Sequence, residues 1–406
     1  MSKKNIPTQD FLNKTIFVIS SPQEAVGLLL LSKGRLVEYC ILVKYIGYAD
    51  GKYSEITNKI LDDVKIKNLF ILRLYLHNVS MNKGSVLLTA KQIVLNKIII
   101  RKFDLEKFQG SLFKNSYNFV AQINSPLLTL GKYDINKIYL MEHSPADSRN
   151  RIKRLKNITL KNNGKTKYQK IISHMQGGVR KWCLIYKIIK IKTIAKIVDT
   201  LFPYTNALQY LDKGFSWIDY GDDFHLLDYR NLKLNFDFVM PEKKFNDEHK
   251  TLVMIEHKDA FKNIEHLYNE MKEIDFVEMY ADILQKHISI NETIVCKFHP
   301  FILQNSNKLE IRTYSESMRA RFLISGYRKV VFFDEILHDE LISLMPVEMF
   351  IKPLKINKIV GLYSSTMVIV QDWDEMSVIS DCSWIKGFKH MRDGDKEIFS
   401  IKFTEA

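Results

Sequence analysis

Short β-rich runs alternate with helical stretches twice along this chain. The intervals are too long for hairpins and suit parallel βαβ units, which need a crossover between paired strands. Thr15 to Ser20 (T-I-F-V-I-S) reads as a buried strand, and Ser21-Pro22-Gln23-Glu24 after it is a helix start with proline in the first turn. Val37 to Ile46 is a second strand and Glu55 to Val64 a helix. Leu69 to Leu76 is a strand or a short helix, and Val86 to Asn96 is helical. Ile98 to Phe103, Asn118 to Ile123 and Lys137 to Met141 read as further β-rich runs.

A second set opens at Thr251 to Ile255. Asp259 to Lys272 and Phe276 to His287 look helical, and a strand follows around Ile294 to Cys296. Ser315 to Phe322 is helical, Lys329 to Phe333 a strand, Pro346 to Phe350 a short helix and Lys358 to Tyr363 a strand, with a mixed tail from Asp372. The chain has 406 residues, more than one typical core holds, so two successive α/β domains are expected. The boundary is placed at 195/196, with a tail that packs back on the N-terminal domain.

Three strand ends carry residues suited to chemistry. The carboxyl ends of strands in open α/β sheets are where ligands bind. Tyr139 to Glu142 (Y-L-M-E) delivers a carboxylate, with His143 and the Ser144-Pro145 turn behind it. Such a carboxylate suits a general base, or a helix cap, or an ion pair with Arg149 or Arg151. Thr293 to Pro300 (T-I-V-C-K-F-H-P) ends in Lys297 and in His299, which Pro300 biases away from helix; a cation and an imidazole there suit an anionic leaving group. Gly361 to Thr366 (G-L-Y-S-S-T) sets Ser364, Ser365 and Thr366 at the start of a helix, for use as an anion grip or as ordinary capping.

Charge and cysteine usage narrow the partners. Sixty Lys+Arg against 46 Asp+Glu give +14, which suits an anionic partner or a lysine-rich solvated face. The Lys/Arg-crowded stretches 150–170 and 181–196 read as an amphipathic helix and solvated loop, or as an interfacial, anion-facing wall. Cys40, Cys183, Cys296 and Cys382 lie far apart without a C-x-x-C pair, as expected for reduced thiols of a cytosolic protein. There is neither an apolar N-terminal signal segment nor a run long enough to cross a membrane. Zinc-ligand spacings, P-loops, G-x-G-x-x-G fingerprints and G-x-S-x-G elbows are missing. Asp372-Trp373-Asp374 has the D-x-D form that metal-dependent transferases use, but beyond the last expected strand it reads as a helix start.

The order Glu142-His143-Ser144, then His299-Pro300, then Ser364-Ser365 resembles the bacterial sialyltransferases and polysialyltransferases of the two-domain GT-B type. Those carry an acidic motif in the N-terminal domain and an HP motif and an S-S/T motif in the C-terminal one. The resemblance spans nearly the whole chain. It implies two Rossmann-like domains facing a central cleft, an acceptor-side domain first and a CMP-binding domain second. It implies a CMP–sialic acid donor, inversion at the anomeric carbon, and no cofactor or required metal. Glu142 would be the general base, His299 would stabilise the leaving phosphate, and Ser364 and Ser365 would bind it. Thr366, Pro300 and, from its charge, Lys297 join the donor side; His143 and Arg149 are acceptor-side candidates. Pro346-Val347-Glu348 resembles the family's Pro-x-Glu segment, so Glu348 would hold the cytidine ribose, or serve as a first-turn carboxylate. The chain departs from the family at Ser144, where glycine is usual. Asp219-Tyr220-Gly221-Asp222-Asp223 is a second-ranked acidic motif.

The expectation is therefore a cytoplasmic transferase acting on an anionic glycan acceptor, a capsule polysialic acid or a lipooligosaccharide. Peripheral association with the acidic inner membrane face fits its charge. The alternatives are a transferase using another nucleotide-sugar and a basic nucleic-acid-binding protein. No nucleic acid is the preferred expectation, since no helix-turn-helix, zinc finger or RNP-like string is present.

Overall fold

The structure is a computed structural model describing residues 7–46, 52–75, 85–112, 117–122, 125, 127, 137–142, 214–218, 224–232, 249–256, 265–299, 308–336 and 342–405. The chain forms two compact units, Met1–Leu227 and Asp228–Ala406.

The first unit is built on a seven-stranded sheet. Its strands are β1 (Thr15–Ile19), β2 (Val37–Ile46), β3 (Ile66–Tyr75), β4 (Asn118–Ala121), β5 (Lys137–Met141), β6 (Gly214–Ser216) and β7 (Phe224–Leu226), in the order 3-2-1-4-5-6-7. Every pairing is parallel. All five residues of β1 are buried, as in a strand covered on both faces, which is why the run is apolar rather than alternating. Ile16 and Val18 join a cluster with Ile41, Val43, Leu72 and Phe119. Burying side chains of this size contributes about 1.5–3 kcal/mol each, so the central strands anchor the unit.

Helix α1 (Gln9–Asn13) precedes β1, and α2 (Pro22–Ser32) follows it. The start of α2 forms as the sequence indicates. Ser21 is its N-cap and accepts from the Glu24 N–H, with Pro22 in the first turn. Helix α3 (Lys52–Asp62) links β2 to β3, and α4 (Ser85–Phe108) follows β3. Ile98 to Phe103 is not a strand but part of α4. Asn96, Ile100 and Phe103 are buried at helical spacing while Ile98 is exposed, so the run packs one face only.

The second unit carries β8 (Lys250–Ile255), β9 (Thr293–Phe298), β10 (Val330–Phe332), β11 (Ile356–Gly361), β12 (Ser377–Ser380) and β13 (Thr404–Glu405). Their order is β10-β9-β8-β11-β12-β13, again parallel throughout. Counted from its own first strand this is 3-2-1-4-5-6, the doubly wound order of dinucleotide-binding sheets. Helices α5 (Glu265–Met271), α6 (Phe276–His287), α7 (Lys308–Ile324), α8 (Phe333–Ile336), α9 (Ser365–Val370) and α10 (Lys386–Phe399) belong to this unit. Two Rossmann-like units in succession fit the GT-B fold expected from the sequence.

Two boundaries differ from expectation. The division falls at 227/228 instead of 195/196, because β6 and β7 pair onto the first sheet. β6 reaches β5 closely: a Cβ on Gly214 would collide with the Leu140 carbonyl oxygen. The tail after Asp372 is built into the second unit. It supplies β12, α10 and β13 of the second unit, and α10 packs on α5. Asp372-Trp373-Asp374 therefore precedes two more strands. Asp372 pairs with Lys402 at 2.9 Å, and the Arg230 guanidinium lies over the Trp373 ring.

Candidate functional site

The second unit has its topological switch between β8 and β11, and in open α/β sheets ligands bind outside the strands' carboxyl ends at such a point. β9 runs beside β8 with Phe298 opposite Ile255, and the His299 N–H donates to the Ile255 carbonyl at 2.8 Å. β11 runs on the other side of β8 with Gly361 opposite Met254. The strand ends carrying Glu256, Lys297–His299 and Ser364–Thr366 thus lie side by side.

Of the sequence candidates, Lys297, His299, Glu348 and Thr366 are brought together here. His299 is half-buried at the end of β9. Lys297 is only 2% exposed, against the reading that it meets a ligand directly. Its ammonium donates to the Ser343 carbonyl at 3.0 Å and sits 5.3 Å from the centre of the Phe333 ring. Burial pushes it down to about 8, against the opposing fields of Glu348 and Glu256. Glu348 lies in a 3-10 turn, Val347–Met349, and is buried. Burial raises its carboxyl, while its own backbone N–H, the Thr366 hydroxyl and Lys297 act to lower it.

The three hydroxyls after β11 have different duties. Ser364 is the N-cap of α9, its Oγ accepting from the Met367 N–H at 3.4 Å. As a hydroxyl it keeps a proton to donate. Ser365 is exposed, and Thr366 is buried against Glu348. Pro300 lies outside the described residues.

Glu256 lies one residue beyond the expected strand Thr251 to Ile255. The run T-L-V-M-I-E ends in a carboxylate just as Y-L-M-E does, and that was the available signal. Glu256 is 4% exposed, and its Oε2 has no hydrogen-bond partner among the described residues. Its backbone N–H donates to the Tyr280 hydroxyl at 2.6 Å. Burial raises the carboxyl, and His299 and then Lys297 pull it back. One edge thus gathers two buried carboxylates, a buried ammonium and an imidazole that solvent can reach. Such a set can bind an anion at its rim and accept bonds from hydroxyls within.

In the first unit, Glu142 ends β5 and is 4% exposed. Its backbone N–H donates to the Phe215 carbonyl at 3.1 Å, and its Oε2 faces the Trp217 N–H at 3.4 Å. The Trp217 indole N–H donates to the Glu142 carbonyl at 2.9 Å. Trp217 and β6, three residues long, were not singled out from the sequence. His143, Arg149, the basic stretches, Cys183 and Asp219 to Asp223 lie outside the described residues. Cys40, Cys296 and Cys382 are buried free thiols, and burial raises all three. Among the described residues no helix is long and apolar enough to cross a membrane.

No protein-family model and no curated protein matches the chain. Among solved structures it is similar to CalG4, the calicheamicin glycosyltransferase. The identity is 8% and the TM-score 0.43, over 97% of this chain and 86% of that one. Strand order and register, independently of that likeness, establish the two doubly wound units.

Proposed function

We propose that the chain is an inverting glycosyltransferase that moves sialic acid from CMP–sialic acid to a hydroxyl of an anionic glycan. In this reading the second unit is the donor domain and the first the acceptor-side domain. The observation that carries it is the convergence of the β9 end, Glu348 and the serine-bearing β11 end around the switch point of a nucleotide-type sheet.

The acceptor hydroxyl gives its proton to the Glu142 carboxylate as its oxygen attacks the anomeric carbon. The bond from that carbon to the CMP phosphate breaks on the opposite face, and CMP leaves with the electron pair. His299 and the hydroxyls of Ser364 and Ser365 meet the charge that builds on the phosphate, so the reading requires no metal. Lys297 lies beneath this rim and contributes its field rather than a contact. In this reading Glu348 accepts from the cytidine ribose.

The test is sialyl transfer from CMP–sialic acid to an oligosialic acid or a lipooligosaccharide, with UDP- and GDP-sugars in parallel. Transfer from the CMP donor alone supports the reading. Transfer from another donor keeps the chemistry and replaces the sugar, and no transfer from any donor contradicts it.

A further inference from the structure

The three residues just before Ser364 are each held from the tail of the second unit. The Gly361 carbonyl accepts the Asp381 N–H at 2.9 Å. The Leu362 carbonyl accepts the Ser380 hydroxyl, and the Ser380 carbonyl in turn accepts from the Arg392 guanidinium at 2.8 Å. The Tyr363 hydroxyl donates to Asp395 Oδ2 at 2.7 Å. Asp381 directly follows β12, and Arg392 and Asp395 lie on α10. The start of α10 is itself fastened to α5, where the Glu270 carboxylate accepts the Lys386 and Gly387 N–H groups.

The first two grips continue the pairing of β11 with β12, in which Gly361 faces Ser380. The third is of another kind. Tyr363 and Asp395 are 6% and 4% exposed, and packing alone would accept phenylalanine at 363. Instead a hydroxyl and a carboxyl, 32 residues apart in the chain, have both left water to meet each other. A hydrogen bond of this length is directional, so it fixes the phenol ring and with it the backbone at 363. The next residue, Ser364, is extended and caps α9, and the exposed Ser365 opens that helix. Groups that bind a ligand must be held to within about 0.5 Å by those behind them.

We propose that Asp395 is a positioning residue for the Ser364–Ser365 turn, acting through the Tyr363 hydroxyl. It works from behind the turn, while the two serine hydroxyls meet the phosphate. The proposal rests on the reading of Ser364 and Ser365 as the phosphate's partners.

The test measures affinity of the full chain for inorganic phosphate and for CMP by calorimetry, with ligand-free denaturant midpoints alongside. The variants are Tyr363→Phe, Asp395→Ala, Asp395→Asn, the double variant Tyr363→Phe/Asp395→Ala, Ser365→Ala and Thr251→Val. The last is the control: the Thr251 hydroxyl donates to Glu292 at 2.6 Å near the amino end of β8, so its loss removes a comparable bond at the other end of the sheet. Tyr363→Phe and Asp395→Ala are each expected to weaken both ligands about fivefold, the effect of about one hydrogen bond. The double variant is expected to bind no more weakly than either single one, as for two groups acting through one another. Asp395→Asn keeps an acceptor and should retain most of the affinity. Thr251→Val should lower the midpoint and leave both affinities unchanged. Tyr363→Phe keeps the ring and carries the test if Asp395→Ala does not fold.

Unchanged affinities in Tyr363→Phe would overturn the proposal, and so would losses that multiply in the double variant. A loss for CMP without one for phosphate would place Asp395 behind some other part of the site. An equal loss in Thr251→Val would reduce its role to general stability, and a phosphate affinity that ignores Ser365→Ala would remove the turn it is said to position. Phosphate binding that follows the expected pattern without any preference for CMP over other nucleotides would uphold this inference while the sialyl-donor reading fell.

Discussion

The first strand of each sheet ends near a buried glutamate, and the two glutamates are treated differently. In the first unit Glu24 is 0% exposed and fully engaged. Its Oε2 accepts the Ser20 N–H at 2.6 Å and the Ser20 hydroxyl at 3.0 Å, while its own N–H goes to the Ser21 cap. This reciprocal arrangement is close to a capping box and fastens β1 to α2. In the second unit Glu256 Oε2 has no partner among the described residues, and the half-buried His299 is its neighbour in the strand register. The glutamate in the first turn of α2 is a structural clasp, whereas the one directly after β8 keeps an oxygen that no described residue meets. A buried carboxyl with an unmet oxygen is costly to ionise, and burial raises that of Glu256.

That contrast can be broken or sharpened by substitution. The largest effect is expected at Glu142. Glu142→Gln should lower the transfer rate by about a thousandfold, within the range of general-base catalysis, while the CMP-induced rise in thermal midpoint persists. Steady-state rates and thermal scans on one preparation check both halves.

His299→Ala comes next. It should cost roughly a hundredfold in kcat through lost stabilisation of the leaving phosphate, together with most of the CMP response. A variant that keeps both would remove His299 from the site.

Lys297→Met isolates the buried cation. Removing one partner from a buried charge cluster typically costs about 3 kcal/mol or more, because the charges left behind are uncompensated. Glu256 and Glu348 already have carboxyls raised by burial, and losing the ammonium raises them further. The folded state then holds more protons than the unfolded chain above the ordinary carboxylate range, so stability should fall as pH rises. Denaturant midpoints at pH 5 and pH 8 measure it, and a larger loss at pH 5 would contradict the cluster as described.

The smallest effects separate clasp from site. Glu24→Ala and Ser364→Ala should each cost about 1–2 kcal/mol of stability, the usual value of a lost cap or clasp, and Glu24→Ala should leave CMP binding by the folded fraction unchanged. Ser365→Ala, at an exposed position, should leave stability within about 0.5 kcal/mol and weaken CMP binding several-fold. Calorimetric titration of CMP alongside denaturant unfolding distinguishes the two kinds of serine.

The strands were legible because both sheets are parallel and their central strands are buried on both faces, so β1, β8 and β9 stand out as apolar runs between turn signals. Ser21-Pro22 was legible because capping is local chemistry. Ile98 to Phe103 misled because a short apolar run does not reveal its period, and its one-sided packing emerges only within the long helix α4. The domain boundary was misplaced because β6 and β7 are three residues each, too short to leave a pattern. At the candidate site the order of motifs was legible and the side-chain duties were not. Within a strand as buried as β9, nothing local tells that Lys297 turns inward to Ser343 while His299 stays at the rim. Glu256 was hidden for the same reason: its neighbour His299 is set by the register between two strands about forty residues apart.

The central claim is that the β8–β9–β11 edge binds a cytidine nucleotide through His299. The most direct measurement is the thermal midpoint of the full chain with CMP, UMP, GMP and ADP in parallel, in wild type and in His299→Ala. A ligand at one hundred times its Kd adds about 2.7 kcal/mol, a shift of several degrees or less for a chain of this size. The account expects CMP alone to raise the wild-type midpoint, and His299→Ala to remove the rise. No response to any nucleotide, or a CMP response that His299→Ala leaves intact, would contradict it.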